Sequence, residues 1–346
     1  MNYFNSKLFI KQNLIFILIF FCFSFFSFAT TASYKGKNYE IKLIYNKEFC
    51  PGDPILVQMQ FKFLGRLSKL PNDEKTISGK IRIVDSETDK NLRSSTLFEM
   101  KSKKRNCVIY MGMVPTTTWF EKNNYKVKIE YNIGKIENNS FSLPLEFVEK
   151  EFVEEILVLD QKNSDIKNDY SKERMNQIES LNKILDTNNY LDFTNTNLTI
   201  FSEPLICDRR TSFFGDRRTY KYTNGKSSTS LHYGIDYGVK TGTEVFSCGN
   251  GKVVMAENRI STGWSICIEH LPGLYSLYYH LDSLEVKTGD EVLTGTYLGK
   301  SGATGLATGP HLHWEMRLNM EAINPDFFVE AYPTIFLQEK EKFFRQ

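Results

Sequence analysis

The sequence predicts a mainly β protein with three parts: an N-terminal immunoglobulin-like β-sandwich, a helical linker, and a C-terminal antiparallel β domain. The chain has 346 residues, which is too long for one ordinary domain. Two blocks show apolar residues at every second position, the period of a half-buried strand, and a polar stretch separates them. The 43 basic and 41 acidic residues nearly cancel, so the charge gives no indication of a nucleic-acid partner.

Residues 1–32 have the pattern of a secretory signal peptide. Two lysines and no acid precede an apolar run over residues 14–28, and small residues follow. Cleavage after Ala29 or after Ala32 fits this pattern. The alternative is an uncleaved anchor in the cytoplasmic membrane, for which a helix needs about 20 apolar residues. In both cases we expect an exported protein, periplasmic or in the cell wall or extracellular space.

Residues 34–150 are expected to form the immunoglobulin-like sandwich, with no catalytic cluster and no histidine. The predicted strands lie near residues 40–45, 57–63, 80–83, 96–100, 107–113, 125–131 and 141–147. A disulfide between Cys50 and Cys107 would be compatible with such a domain. This part of the chain is expected to contribute placement or contact with an envelope protein rather than chemistry.

Residues 151–200 are predicted to be a linker with one amphipathic helix. Ser171 fits the N-cap position. The apolar stripe of this helix consists of Met175, Ile178, Leu181 and Leu185. Because such a stripe must be buried, we expect the helix to pack on one or both domains.

Residues 201–335 are expected to form the second β domain, followed by a charged tail over 336–346. A hairpin is predicted at Asn250–Gly251, because this dipeptide favours a two-residue turn. The predicted strands lie at residues 244–247, 252–256, 264–270, 275–281, 297–300 and 312–318.

All five histidines of the chain lie between residues 232 and 313. If residues 311–317 form a strand, His311, His313, Glu315 and Arg317 share one face, and the residues between them face the core. Two imidazoles on one rigid strand suit a metal site. His280 is expected on the strand face of Ser276 and Tyr278. His270 is expected to be structural, at a strand end beside a turn.

His232 and Asp236 are separated by three residues that include Gly234. In a straight strand their side chains would be roughly 13 Å apart, too far to share one ion. The metal hypothesis therefore requires the chain to bend between them, and Gly234 would permit the bend.

Several short motifs together resemble the LytM/lysostaphin-type zinc metallopeptidases, which have a duplicated hybrid motif fold. The motifs that carry the resemblance are Phe214-Gly215-Asp216-Arg217-Arg218, His232-x-x-x-Asp236, Gly249-Asn-Gly251, Tyr279-His280-Leu281, Gly302-Ala-Thr304-Gly305 and Gly309-Pro310-His311-Leu312-His313. They occur in family order over about 125 residues. The resemblance implies a groove with Zn²⁺ at its floor. It also implies that His232, Asp236 and His313 bind the metal and that His280 and His311 are catalytic.

Elementary chemistry agrees with this set. Two imidazoles and one carboxylate leave a zinc position open, as in catalytic sites. No second carboxylate of the HExxH type is present to act as a base, so an unligated histidine must move the proton. Which of His280 and His311 does so stays open. Tyr220 or Tyr222 could add a hydroxyl donor.

The function expected from the sequence is zinc-dependent endopeptidase activity on peptide bonds of peptidoglycan, with the peptides of the cell wall as partners. The alternative is a non-catalytic protein of the envelope that binds the cell wall or regulates another hydrolase. Membrane contact is expected only through an uncleaved N-terminal segment.

Overall fold

The computed structural model describes residues 29–70, 73–100, 106–135, 137–187, 199–207 and 209–338. Most of the predicted signal peptide and residues 339–346 of the predicted tail lie outside these ranges. No helix in the described ranges has the length and apolar character that crossing a bilayer requires.

Ten strands form the N-terminal domain in the described part of the chain. They are β1 (Ala29–Lys35), β2 (Tyr39–Asn46), β3 (Glu48–Phe49), β4 (Ile55–Phe63), β5 (Ile77–Asp85), β6 (Asn91–Thr96), β7 (Phe98–Met100), β8 (Cys107–Val114), β9 (Tyr125–Ile133) and β10 (Glu137–Phe147). Two short 3₁₀ turns, Leu67–Lys69 and Asp73–Lys75, lie between β4 and β5.

The ten strands form two five-stranded sheets, with the orders β1-β2-β4-β8-β7 and β3-β10-β9-β5-β6. Apolar side chains from both sheets meet in one core. Its fully buried members include Phe61, Ile81 and Ile129. The predicted sandwich is therefore the architecture of this domain.

The sandwich begins earlier than residue 34, because β1 pairs along its whole length with β2. Cleavage of a signal peptide after Ala32 would remove four of the seven residues of β1, whereas cleavage after Ala29 leaves it nearly whole. The sequence pattern missed β1 because small and polar residues dominate this strand.

Cys50 and Cys107, which the sequence allowed to form a disulfide, are both free thiols. Cys107 is paired with Lys62 at one end of β4, and Cys50 precedes the other end. Seven residues of extended chain place these ends roughly 23 Å apart, far beyond the reach of a disulfide.

The sheet that contains β4 is buried on both faces. Its second face carries Leu56 and Met111, which pack in one cluster with Phe336 of the C-terminal domain. Gln58, a polar residue that alternates with apolar residues on β4, is fully buried on this second face. Gln58 therefore lies at an interface between the two domains. The alternation of polar and apolar residues alone cannot distinguish such an interface from a solvent-exposed face.

Polar contacts fix the same two domains together. The Arg217 guanidinium donates to the Thr118 carbonyl at 2.9 Å and lies 4.1 Å from the centre of the Trp119 ring. Asn324 Nδ2 donates to Asp53 Oδ1 at 2.8 Å. These bonds join the sandwich to two separate segments of the C-terminal domain.

The linker contains a strand and two helices: β11 (Glu154–Val158), α1 (Gln161–Lys167) and α2 (Lys172–Leu185). The Ser171 side chain accepts a hydrogen bond from the Arg174 amide, as an N-cap does. Only the C-terminal half of the predicted stripe is buried: Leu181 and Leu185 pack on the C-terminal sheet, but Met175 is 49% exposed. The helix thus makes its apolar contact with the sheet through its C-terminal end, whereas Arg174 and Gln177 reach the turn after β17 through hydrogen bonds.

Twelve further strands of the described chain make the C-terminal domain. They are β12 (Arg210–Ser212), β13 (Arg217–Lys221), β14 (Ser227–Leu231), β15 (Gly234–Tyr237), β16 (Glu244–Phe246), β17 (Gly251–Arg259), β18 (Gly263–Leu271), β19 (Leu274–Leu284), β20 (Glu291–Val292), β21 (Tyr297–Ser301), β22 (Leu312–Leu318) and β23 (Glu321–Ile323). A short helix α3 (Asp326–Val329) and a π-helical segment Pro333–Gln338 follow.

Ten of these strands form one sheet, whose main path runs β12-β15-β22-β19-β18-β17-β20. The remaining two, β13 and β14, form a hairpin that the linker extends: β11 pairs with β13 in parallel from Glu154 to Val158. The linker is therefore part of the C-terminal domain's β structure, and a boundary at residue 200 separates strands that hydrogen-bond to each other.

Candidate metal centre and groove

Two neighbouring strands bring the first pair of predicted ligands together. Asp236 on β15 is directly opposite His313 on β22 in the antiparallel register. The Asp236 Oδ1 atom is 2.8 Å from His313 Nδ1. Opposite residues on adjacent strands project to the same side of the sheet, so the pairing itself creates the contact.

His232 reaches the same point from the bend after β14. Its Nε2 atom is 3.1 Å from Asp236 Oδ1 and 3.0 Å from His313 Nδ1. The chain therefore bends between His232 and Asp236, as the metal hypothesis requires. Gly234 has a different role from the expected one: a Cβ there would lie 2.2 Å from the Trp314 carbonyl oxygen, so glycine permits β15 to approach β22.

Hydrogen bonds fix which ring nitrogen of each histidine faces the centre. His232 Nδ1 is 2.9 Å from the Phe213 carbonyl, which can only accept, so Nδ1 carries the proton and Nε2 keeps its lone pair. His313 Nε2 lies 3.3 Å from the Glu315 carboxylate, to which it donates, so its Nδ1 is left for a metal. A carboxylate behind a ligating histidine is a common arrangement around protein-bound metals.

The three ligand atoms fit one metal ion. They lie 2.8–3.1 Å from one another. Tetrahedral ligands at about 2.0–2.1 Å from zinc are roughly 3.3 Å apart. The three atoms are slightly closer together than this, so the side chains would need only a small outward movement to hold the ion. All three residues are buried and form the one cluster of this kind found within the described residues.

The charge of the site also suits a cation. Burial would raise the pKa of Asp236, but the imidazoles of His232 and His313 hold it well below the usual range. Burial would lower the pKa of His313, but its hydrogen bonds to Asp236 and Glu315 outweigh burial and raise the pKa to about 9. A proton on this ring stands where a metal would bind, so the ring must lose it when a metal is taken up.

Arg218 holds the second oxygen of Asp236. Its Nη2 atom donates to Asp236 Oδ2 at 2.7 Å, and its Nε donates to Glu155 Oε2 at 3.1 Å. Glu155 belongs to the linker strand β11. The linker therefore orients Asp236, a predicted metal ligand, through one intermediate side chain.

A β-bulge directs His280 into the site. Tyr278 is paired with Ile266 and Leu281 with Trp264, so β19 uses three steps where β18 uses two. His280 has a φ of 63°, a left-handed conformation that non-glycine residues seldom adopt. The expected face was wrong: Ser276 and Tyr278 face the core, whereas the bulge turns His280 toward His311, with ring centres 4.7 Å apart.

His280 and His311 both keep Nε2 as the free ring nitrogen. His280 Nδ1 donates to the Thr304 carbonyl at 2.7 Å, and His311 Nδ1 donates to the Gly309 carbonyl at 2.8 Å. Burial, and then the neighbouring histidines, lower the pKa of His280 to about 3. His311 Nε2 lies 3.8 Å from Asp236 Oδ1, so the pair borders the three ligand residues.

The remaining histidine lies outside the site. His270 is buried, and its ring bonds to the Asn250 carbonyl at 2.8 Å and to Ser276 Oγ at 2.7 Å. Of the two tyrosines considered as donors, Tyr220 lines the groove beside Arg218, whereas the Tyr222 hydroxyl is bonded to Ser228.

The site opens into a groove of about 860 Å³. One wall comes from the linker, which contributes Glu155, Leu157, Leu159, Lys167 and Arg174. Sequence reasoning missed this wall, and it assigned no role to Glu315 and Arg218. The alternation of residues 311–317 did place Glu315 on the face of His313, and that signal would have identified it as a partner of a ligand.

Comparison with known proteins places the site in a recognised kind of domain. Residues 230–325 match the model of peptidase family M23. A metalloprotease of Buchnera aphidicola without an established role is 42% identical over 96 residues, which is 28% of this chain and 26% of that protein. The peptidoglycan DD-endopeptidase ShyA of Vibrio cholerae is 36% identical over 116 residues, 34% of this chain and 26% of its own length. The DD-carboxypeptidase/endopeptidase Mpg of Neisseria meningitidis is 35% identical over 140 residues, 40% and 31% of the two chains.

These matches confirm the resemblance to the LytM/lysostaphin-type metallopeptidases for the C-terminal domain. The aligned region spans about a quarter to a third of the length of these relatives. A solved structure from Pseudomonas aeruginosa, assigned to peptidase family M23, aligns with a TM-score of 0.51 over 82% of this chain and 95% of its own, at 19% identity. That likeness concerns the fold, and its coverage extends beyond the C-terminal domain.

Proposed function

We propose that this chain, whose residues 230–325 match the model of peptidase family M23, is a zinc-dependent endopeptidase that hydrolyses peptide bonds of peptidoglycan. One observation carries the proposal. His232, Asp236 and His313 converge within 4.8 Å of one another, and two further histidines border them with their Nε2 atoms free. The substrate class follows the relatives named as peptidoglycan DD-endopeptidases.

His232, Asp236 and His313 would hold the ion, and zinc would supply Lewis-acid chemistry at the scissile peptide bond. Arg218 and Glu315 keep the carboxylate and the His313 ring in their ligating orientations. The buried position of these contacts makes each worth more than it would be in water.

His280 and His311 move the protons of the reaction. Because Nδ1 of each ring is committed to a carbonyl, each can accept a proton only at Nε2. One ring takes a proton from the attacking water and passes it to the leaving amine. The other ring takes a proton from solvent, donates its Nε2–H to the developing oxyanion and recovers the proton when the amine leaves. His280 is the more deeply buried and sits on the strained bulge, which fixes its direction.

The location is part of the same proposal. The segment 1–32 would export the protein to the periplasm or cell wall, or retain it at the cytoplasmic membrane if it is not cleaved. The sandwich would then contact an envelope partner or place the groove at a distance from the membrane. Its apolar second face is already covered by the C-terminal domain, so such a partner would meet other surfaces.

The experiment is digestion of purified cell-wall sacculi by the zinc-loaded protein, with mass spectrometry of the released muropeptides. The expected result is new peptide ends, lost on chelation and restored by zinc. His280→Ala and His311→Ala should keep the metal and lose turnover by roughly 10²–10⁴-fold. Binding to sacculi without any cleavage by the folded, zinc-loaded protein would favour the alternative, a cell-wall-binding protein.

A further inference from the structure

The groove carries more basic side chains than acidic ones. Its basic residues are Lys167, Arg174, Arg209, Arg218 and Lys240, and its carboxylates are Glu155, Asp236 and Glu315. Arg218 bonds to Glu155 and Asp236, and Glu315 pairs with Arg317. The other four basic side chains of the groove form no ion pair with any described residue.

Two of these four cations come from the linker. Lys167 is the last residue of α1, and its Nζ lies 4.1 Å from the centre of the Tyr220 ring. Arg174 is in the first turn of α2, and its Nε donates to Ser261 Oγ at 2.9 Å while Nη1 bonds to the Asp169 carbonyl. Both side chains are therefore held in place, and Arg174 Nη2 has no hydrogen-bond partner among the residues described.

Lys167 and Arg174 each contact a residue that lies next to the predicted site. Tyr220, below Lys167, contacts Arg218, which holds Asp236. Ser261, which fixes Arg174, precedes Thr262, whose carbonyl accepts the backbone N–H of His280 at 2.8 Å. The two cations thus flank the metal ligands and the histidine pair on the linker side.

Their proximity to each other is unfavourable without an anion. Burial, and then the charges of Arg174 and Arg218, lower the pKa of Lys167. Like charges in a partly buried groove repel, and a bound carboxylate would offset that repulsion. A guanidinium edge and an ammonium group are the donors that bind carboxylates most strongly.

We propose that Lys167 and Arg174 form a subsite that binds a carboxylate of the substrate peptide beside the bond that is cut. The inference rests on the proposed function and specifies its substrate: a peptide with a negative charge near the scissile bond. Two sources have this chemistry, a free C-terminal carboxylate and an acidic side chain.

The test uses the zinc-loaded full chain and four short peptides that differ in two groups. Each peptide has either an acid or an amide at its C-terminus, and either an acid or an amide on the side chain next to the scissile bond. The wild-type protein should show a KM about tenfold lower for the acid at one of these two places. The place identifies the source of the carboxylate.

Lys167→Gln should remove this preference through KM rather than kcat, and Lys167→Arg should restore most of it. The matched control is Lys172→Gln, a change at an exposed lysine of α2 that does not line the groove, and it should keep the preference. The preference of the wild type should also weaken at high salt.

Equal KM values for acid and amide peptides in the wild type, or a preference unchanged in Lys167→Gln, would overturn the subsite. If no peptide is cut, the proposed function fails separately. In that event, NMR titration of the same peptides decides the subsite: tighter binding of an acid peptide by the wild type than by Lys167→Gln supports it, and equal binding refutes it.

Discussion

Replacing Arg218 should weaken metal binding although Arg218 touches no metal. The side chain keeps only 12% of its surface exposed, and it donates to Asp236 Oδ2 at 2.7 Å. Arg218→Ala removes the donor that holds Asp236 Oδ2 and leaves Glu155 without its ion-pair partner. A hydrogen bond to a charged group is worth about 1.5–3 kcal/mol, and this corresponds to a loss of about 10- to 100-fold in zinc affinity.

The assay is competition for zinc between the purified protein and a chromophoric chelator, with the thermal midpoint measured in parallel. Arg218→Lys keeps one charge but loses the fork that reaches both carboxylates, so it should fall between the wild type and Arg218→Ala. Arg209→Ala is the matched control, because Arg209 lines the same groove but forms no ion pair with any described residue.

The reasoning would be refuted if Arg218→Ala, folded with an unchanged thermal midpoint, bound zinc as tightly as the wild type. A loss of affinity in Arg209→Ala of the same size would also refute it, because the effect would then come from the charge of the groove rather than from the bond to Asp236.

Three further outcomes are expected. Replacing His232 with Ala should abolish zinc binding as well as hydrolysis, measured by metal analysis after gel filtration, whereas retention of one zinc per chain would exclude it as a ligand. A chain that starts at Ser202 should hydrolyse sacculi more slowly than one that starts at Phe152, because the shorter chain lacks β11 and the partner of Arg218; equal rates would show that the linker wall is dispensable. Burial lowers the pKa of His270 to about 4, below its unfolded value of about 6.5, so the unfolded state binds more protons between these pH values and the stability of the protein should fall as the pH falls through this window. Denaturant titrations from pH 7 to pH 4 give the slope of the unfolding free energy against pH. For His270→Asn this slope should be smaller than for the wild type by the equivalent of up to one proton, and an unchanged slope would contradict the assignment.

The resemblance to the LytM/lysostaphin-type family implied His232, Asp236 and His313 as ligands, and the local sequence pattern added two constraints on their geometry. The alternation around His313 fixes which residues share its face, and the short spacing from His232 to Asp236 forces a bend once both are taken as ligands. Neither inference needs knowledge of a distant strand, but the contact between Asp236 and His313 does, because it arises where β15 pairs with β22.

The direction of His280 could not be predicted in this way. The direction of this side chain depends on the β-bulge in β19. The bulge arises from the register between β18 and β19, and the sequence of one strand does not determine that register. The same holds for Glu155: its strand is short, and its partner β13 begins more than fifty residues later. Contacts of this kind depend on the tertiary fold rather than on local pattern.

The parallel pairing of β11 with β13 limits how this domain can be exchanged between proteins in evolution. Recombination that transferred only residues 230–325 would carry the five site residues but leave behind Arg218, Glu155 and the basic side chains of α1 and α2. A recipient would have to supply its own strands in place of β11, β13 and most of β14, and its own partner for Asp236. Proteins that arose by such an exchange should therefore differ most in the segment between the two domains. Each would have different residues lining the linker side of the same groove.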